Sequence, residues 1–191
     1  VNMVTCKHTT TVRVYDCLAD MQGRRWPFLL IAFVALCLAA VSLFCQYALH
    51  VEPCEYDVYS RLAIFGLMAA GIVLAINPRN LVVTLTGYVL WSSSAIYGFV
   101  NSFAMLDLYR QHDDLALLFS SLSQAPRFPF GLPLHAWFPQ FFRPSGTCGT
   151  DDLTILWINT GQCMVWIFAA FLLAFLVCAA FRLLFSKNSA V

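Results

Sequence analysis

Charged residues are scarce in this chain of 191 residues. Asp, Glu, Lys and Arg make up 11% of it, whereas hydrophobic residues make up 60%. The mean hydropathy of +0.73 lies well above that of soluble domains. The formal net charge is only +1 and no run of basic residues occurs, so nothing favours nucleic-acid binding. The chain is therefore predicted to be an integral membrane protein.

The residue patterns that mark most enzyme sites are also missing. The four histidines lack metal-ligand spacing, no glycine-rich loop could cradle a phosphate, and no Ser/His/Asp arrangement can be argued. A haem site between spans would need facing histidines, and no predicted span contains one. We therefore expect no metal site.

Four apolar stretches are long enough to cross a hydrocarbon core about 30 Å thick as helices. They run approximately over residues 28–49, 59–76, 81–103 and 155–184. The predicted fold class is all-α, a four-transmembrane-helix bundle forming a single membrane domain over residues 1–191. A short first outer loop at about 50–58 and a long second one at about 104–154 connect the spans, behind a cytoplasmic segment at 1–27.

The positions of the basic residues predict the orientation, because Lys and Arg near span ends are retained on the cytoplasmic side. Arg24 and Arg25 precede the first span, Arg79 lies between the second and third, and Arg182 and Lys187 follow most of the fourth. Both termini are therefore expected in the cytoplasm of a multi-pass protein of the bacterial inner membrane.

The second outer loop contains five prolines and an aromatic pattern with helical spacing. The pattern predicts a short helix lying in the membrane interface, with its length limited by Pro139. An alternative is that these side chains cover the outer mouth of the bundle. The residues concerned are Leu134, Trp137, Phe138, Phe141 and Phe142.

The eight cysteines divide by compartment, since disulfides persist mainly in oxidising surroundings. Two precede the first span on the cytoplasmic side, and two lie within spans, where a thiol behaves as a small hydrophobe. Four lie at or beyond the outer ends of spans, where a disulfide can form. These four are Cys45, Cys54, Cys148 and Cys163.

Both outer loops carry a recognisable pattern. Residues 53–66 read PCEYDVYSRLAIFG, and residues 127–140 read RFPFGLPLHAWFPQ, followed by SGTC at 145–148. These segments resemble the DsbB proteins, four-helix enzymes of the bacterial inner membrane. The resemblance implies reoxidation of a periplasmic thioredoxin-like dithiol oxidase by ubiquinone or menaquinone. It also implies that Arg61 contacts the quinone.

Two departures from the family pattern affect this chemistry. Asp57 stands where the second first-loop cysteine is expected, and residues 120–124 offer no thiol near Leu122. The resemblance therefore leaves one catalytic cysteine of each pair, Cys54 and Cys148, which the family joins during turnover. Because a carboxylate cannot form a disulfide, we expect this bond to be static. Asp57 could instead pair with Arg61 four residues later, or face the quinone.

Two functions follow. The favoured hypothesis is a DsbB-like protein that has lost the dithiol-to-quinone relay and serves as an accessory or binding subunit beside other membrane proteins. The alternative is a quinone-dependent disulfide oxidoreductase that reoxidises a periplasmic thioredoxin-like partner. In that case Cys45 or Cys163 could act as a resolving thiol, although a second disulfide or two unpaired thiols is the simpler interpretation.

The orientation leads to a first prediction. A single cysteine introduced at Asp113 of an otherwise cysteine-free variant should react with a membrane-impermeant maleimide added outside intact spheroplasts. A matched cysteine at Asn188 should react only after the membrane is opened. Labelling of position 113 only after opening would contradict the predicted topology.

Overall fold

The structure is a computed structural model that describes residues 25–50, 53–78, 80–110, 128–144 and 160–188. Its long helices are α1 (Trp26–Ala48), α2 (Glu55–Ile76), α3 (Leu81–Arg110) and α6 (Thr160–Asn188), with the one-turn helices α4 (Leu134–Trp137) and α5 (Pro139–Phe142) between the last two. Each long helix has the length and apolar composition to cross a membrane. The predicted all-α class with four spans is thereby confirmed.

Helix α2 lies at the centre of the bundle. It packs against α1 on one side and against α3 on the other, and α3 also packs against α6. Its buried side chains surround much of its circumference, whereas α1 and α6 expose many large apolar side chains. Such exposure suits helices that face lipid rather than water.

Small residues allow α1 to approach α2 closely. Ala32, Ala35 and Ala39 are buried on one face of α1, and Gly71 of α2 lies against the α1 backbone. A Cβ added at Gly71 would come within 2.8 Å of the Phe28 carbonyl oxygen and 2.9 Å of the Ala32 nitrogen. Small residues at a membrane helix interface permit this kind of backbone contact.

Helix α2 begins earlier than expected. The hydropathy pattern predicted a start near Tyr59, whereas the helix begins at Glu55, with Cys54 as its N-cap. The added turn is polar, so hydropathy alone does not detect it. The first outer connection therefore ends at Cys54 rather than near residue 58.

Helix α3 is also longer than predicted. It continues through residues 104–110, which were assigned to the second outer loop, and ends at Arg110. The extra residues contain Asp107 and Arg110, and polar side chains end a hydropathy window without ending a helix. The loop beyond, at 111–127, lies outside the described residues, as do residues 145–159 before α6.

The opposite end of the bundle is joined through the turn between α2 and α3. The Pro78 carbonyl accepts hydrogen bonds from Thr84 Oγ1 at 3.0 Å and from Arg182 Nη2 of α6 at 3.2 Å. The Arg182 guanidinium also lies 5.7 Å from the centre of the Tyr88 ring. One cation of α6 thus holds the α2–α3 turn and the start of α3 together.

The aromatic stretch of the second loop forms two turns rather than one helix. Helices α4 and α5 are separated by Phe138, whose φ of −133° and ψ of 68° are not helical. This break is expected because the residue before a proline is driven from the helical region. Location of these turns in the membrane interface stays a prediction.

The close approach at Gly71 gives a second prediction. Gly71→Ala should destabilise the protein by about 1–3 kcal/mol, as overpacking does, because the obstructing atoms belong to the α1 backbone. Gly66→Ala is the matched control, since the atom nearest its added Cβ would be Ser94 Oγ, the end of a short side chain that can rotate. Thermal unfolding in detergent should give a lower midpoint for Gly71→Ala than for the control, and equal midpoints would contradict the proposed contact.

Candidate functional site

The N-terminal end of α2 brings three of the predicted site residues into one region. Cys54 caps the helix, Asp57 lies in its first turn, and Arg61 follows one turn later. Cys54 and Arg61 are seven residues apart and therefore lie on the same helical face, roughly 10 Å apart along the axis. The loop turns around α5 cover this region from the outer side.

Cys54 is disulfide-bonded and only 3% exposed. Cys37, Cys45, Cys163 and Cys178 form no disulfide, so the bonding partner of Cys54 lies outside the described residues. Cys148, which the family resemblance assigns as that partner, lies in this undescribed part. The Cys54–Cys148 pairing stays a prediction, whereas the structure contains no bond between Cys45 and Cys163.

Asp57 caps the helix that begins beside it. Its Oδ2 accepts a hydrogen bond from the Cys54 backbone N–H at 3.2 Å, and the Cys54 side chain faces the backbone N–H of Asp57 in return. This reciprocal arrangement is a capping box, which satisfies backbone donors that a helix leaves unpaired at its start. The negative charge also suits the positive end of the helix dipole.

The proposed ion pair between Asp57 and Arg61 is not formed. Within the described ranges, the hydrogen-bond partners of the Arg61 side chain are neutral: Nε donates to Ser42 Oγ at 2.8 Å, and Nη1 donates to Gln46 Oε1 at 2.5 Å and to the Phe141 carbonyl at 3.3 Å. Capping draws the Asp57 carboxylate back towards Cys54. The i,i+4 spacing alone did not reveal this competition.

Arg61 consequently joins three elements while being only 5% exposed. Ser42 and Gln46 belong to α1, Arg61 to α2, and Phe141 to α5. Nη2 makes no hydrogen bond to the residues that the structure describes, which leaves two N–H donors unused. A buried guanidinium whose hydrogen-bond partners are neutral can still donate from its remaining nitrogen to a ligand.

The second loop is fastened to α2 by aromatic contacts. The Tyr59 ring meets the Phe128 ring edge to face at 5.7 Å between centres, and Phe65 contacts Phe141 and Phe142 at 6.1 and 6.0 Å. The Tyr47 hydroxyl donates to the Gln140 carbonyl at 2.9 Å. The alternative sequence interpretation, in which these aromatic residues cover the outer mouth of the bundle, agrees with these contacts.

Sequence reasoning missed Ser42 and Gln46. They are four residues apart on α1 and share the face that meets Arg61, but polar residues near the end of an apolar span carry no specific signal by themselves. On α3, Phe103 is exposed and stacks on Phe99 at 6.4 Å between ring centres. Across the described segments, no group of three or more His, Cys, Asp and Glu residues could hold a metal ion.

Comparison with known proteins finds one matching family model and several similar proteins. The family model described as "Disulfide bond formation protein DsbB" matches residues 24–178. A protein from Psychromonas ingrahamii named "Disulfide bond formation protein B" is 32% identical over 175 residues, covering 92% of each chain. A protein of the same name from Shewanella denitrificans is 34% identical over 170 residues, covering 89% of this chain and 95% of its own.

The capping role of Asp57 leads to a third prediction. Asp57→Ala should lower the free energy of unfolding by about 1 kcal/mol, the usual cost of losing a capping side chain. Asp57→Asn should cost less, because an amide oxygen can still accept the Cys54 N–H. Thermal unfolding of both variants measures this difference, and an equally large loss in both would instead indicate that the negative charge, as in an ion pair, is what matters.

Proposed function

The chain belongs to the DsbB family, and from this premise we propose that it takes part in disulfide bond formation in the bacterial inner membrane. The specific activity proposed is quinone-linked oxidation of a periplasmic thioredoxin-like dithiol partner. The active bond is a single disulfide between Cys54 and Cys148, in place of the two dithiol pairs of the family pattern.

The observation that carries this proposal is the disulfide-bonded Cys54 at the N-terminus of α2. A sulfur at this position is a good leaving group, because the helix dipole and the first backbone N–H groups stabilise a thiolate. Cys54 itself is buried, so a partner thiolate would attack the other sulfur of the bond. Exchange then proceeds through a mixed disulfide.

The electrons balance with one disulfide. A partner thiolate attacks Cys148, the Cys148–Cys54 bond breaks, and Cys54 leaves as a thiolate. The second partner thiol resolves the mixed disulfide, so the partner is oxidised and Cys54 and Cys148 are both reduced. A quinone then accepts two electrons and two protons from these two thiols, which restores their disulfide.

Arg61 supports a quinone site near the same end of α2. Its Nη2 donors, which no described residue accepts, and its positive charge suit a quinone carbonyl oxygen, which becomes more negative during reduction. The family resemblance assigns the same role to this arginine. The neutral partners of Arg61 favour a neutral, carbonyl-bearing ligand that does not have to displace a carboxylate.

A second candidate is the accessory or binding subunit with a static disulfide. The observations that favour it are the Asp57 carboxylate at the position of the missing thiol and the burial of Cys54. Under this hypothesis the disulfide would not exchange with a partner. The names of the relatives give this candidate no support, so it is the second choice.

The fourth prediction distinguishes the two candidates. Purified protein supplied with a short-chain quinone and a reduced thioredoxin-like periplasmic oxidase should form quinol above background, measured by ultraviolet absorbance. Cys54→Ser should reduce the rate to background, whereas Cys163→Ser is the matched control and should retain it.

Background activity in the unaltered chain would contradict the proposed activity and favour the accessory subunit. In that event, Asp57→Cys combined with Leu122→Cys tests whether the scaffold still supports the two-pair relay. Recovery of quinol formation by this variant would show that the quinone and partner sites survive. Loss of activity in Cys163→Ser would instead assign a redox role to Cys163.

A further inference from the structure

The buried acceptors around Arg61 differ from the arrangement that stability alone would favour. An ionised side chain inside a membrane bundle usually pairs with an opposite charge or binds a ligand. Arg61 is 5% exposed, yet its described partners are a hydroxyl, an amide oxygen and a backbone carbonyl. The guanidinium is therefore hydrogen-bonded by neutral groups, and among the described residues the nearby Asp57 carboxylate caps the helix instead of forming an ion pair with it.

Gln46 makes the shorter of the two α1 contacts to Arg61. Its Oε1 lies 2.5 Å from Nη1, and Ser42 Oγ lies 2.8 Å from Nε. Two acceptors on adjacent turns of one helix fix both the position and the plane of the guanidinium. They engage Nε and Nη1, so Nη2 is the nitrogen that is left for another molecule.

We propose that Gln46 is a positioning residue for the ligand site at Arg61, and that its neutral amide is required there. The amide holds Nη1 in place without cancelling the positive charge, so that Nη2 can donate to a ligand carbonyl. A carboxylate at this position would hold the same nitrogen but would also neutralise the charge. This inference rests on the proposed quinone site and adds a residue on α1 to it.

The isosteric substitution Gln46→Glu separates positioning from structural support. A carboxylate beside Arg61 forms an ion pair with a charge that is already buried, so the unfolding temperature should not fall. The same ion pair should weaken quinone binding by about tenfold, the effect of losing one charge-assisted hydrogen bond. Stability and affinity are thus expected to change independently.

The measurement is the dissociation constant of a short-chain quinone, obtained from the shift in unfolding temperature with quinone concentration. This readout needs no turnover and no partner protein. Gln162→Glu is the matched control, because it makes the same substitution on α6, where no contact with Arg61 is made. The control should bind quinone as tightly as the unaltered protein.

Each outcome is decisive. Weaker binding by Gln46→Glu with an undiminished unfolding temperature supports the positioning role. Unchanged binding, or binding that falls together with the unfolding temperature, overturns it while leaving the proposed function in place. Absence of quinone binding by the unaltered protein overturns the quinone site itself, and the role of Gln46 with it.

Discussion

The burial of the Arg61 guanidinium is the constraint on which the outer half of the molecule depends. A cation that is 5% exposed in an apolar bundle requires acceptors, and α2 alone supplies none within the described contacts. Helix α1 therefore presents Ser42 to Nε and Gln46 to Nη1 of Arg61. The second loop brings the Phe141 carbonyl to Nη1 as well. One side chain thereby links α1, α2 and α5, in addition to the small-residue contact at Gly71 and the aromatic contacts of Phe65.

The same end of α2 shows how one residue can change chemistry and preserve structure. A cysteine at position 57 could exchange disulfides, whereas Asp57 supplies an oxygen that accepts the Cys54 N–H. The residue that caps the start of α2 is therefore the one that stands where the family pattern has its second first-loop cysteine. Because the carboxylate is engaged in the cap, it forms no ion pair with Arg61, whose hydrogen-bond partners among the described residues stay neutral.

The sequence predicts the helices well and their contacts poorly. Hydropathy finds all four spans, since each contains a long apolar run, but it places the start of α2 and the end of α3 wrongly because both ends are polar turns. The i,i+4 rule suggests an Asp57–Arg61 pair and cannot weigh it against a cap at the same residue. Ser42 and Gln46 reach Arg61 across the α1–α2 interface, and such tertiary contacts have no local signal. The loop motifs and the importance of Arg61 come from family resemblance rather than from periodicity.

The noncovalent contacts that hold the second loop against α2 bear on the role of the Cys54 disulfide. The proposed Cys54–Cys148 crosslink would close a loop of roughly 100 residues, which is worth about 4.7 kcal/mol in the chain-entropy treatment for a freely unfolded reference chain. Membrane helices stay inserted when their packing is lost, so α2 and α3 already restrict that reference state. Aromatic contacts of Phe128, Phe141 and Phe142 with α2 hold the loop as well. The described part of the second loop is thus held against α2 by contacts that do not involve the disulfide. A bond that can open and close without releasing the loop is the kind that thiol–disulfide exchange requires.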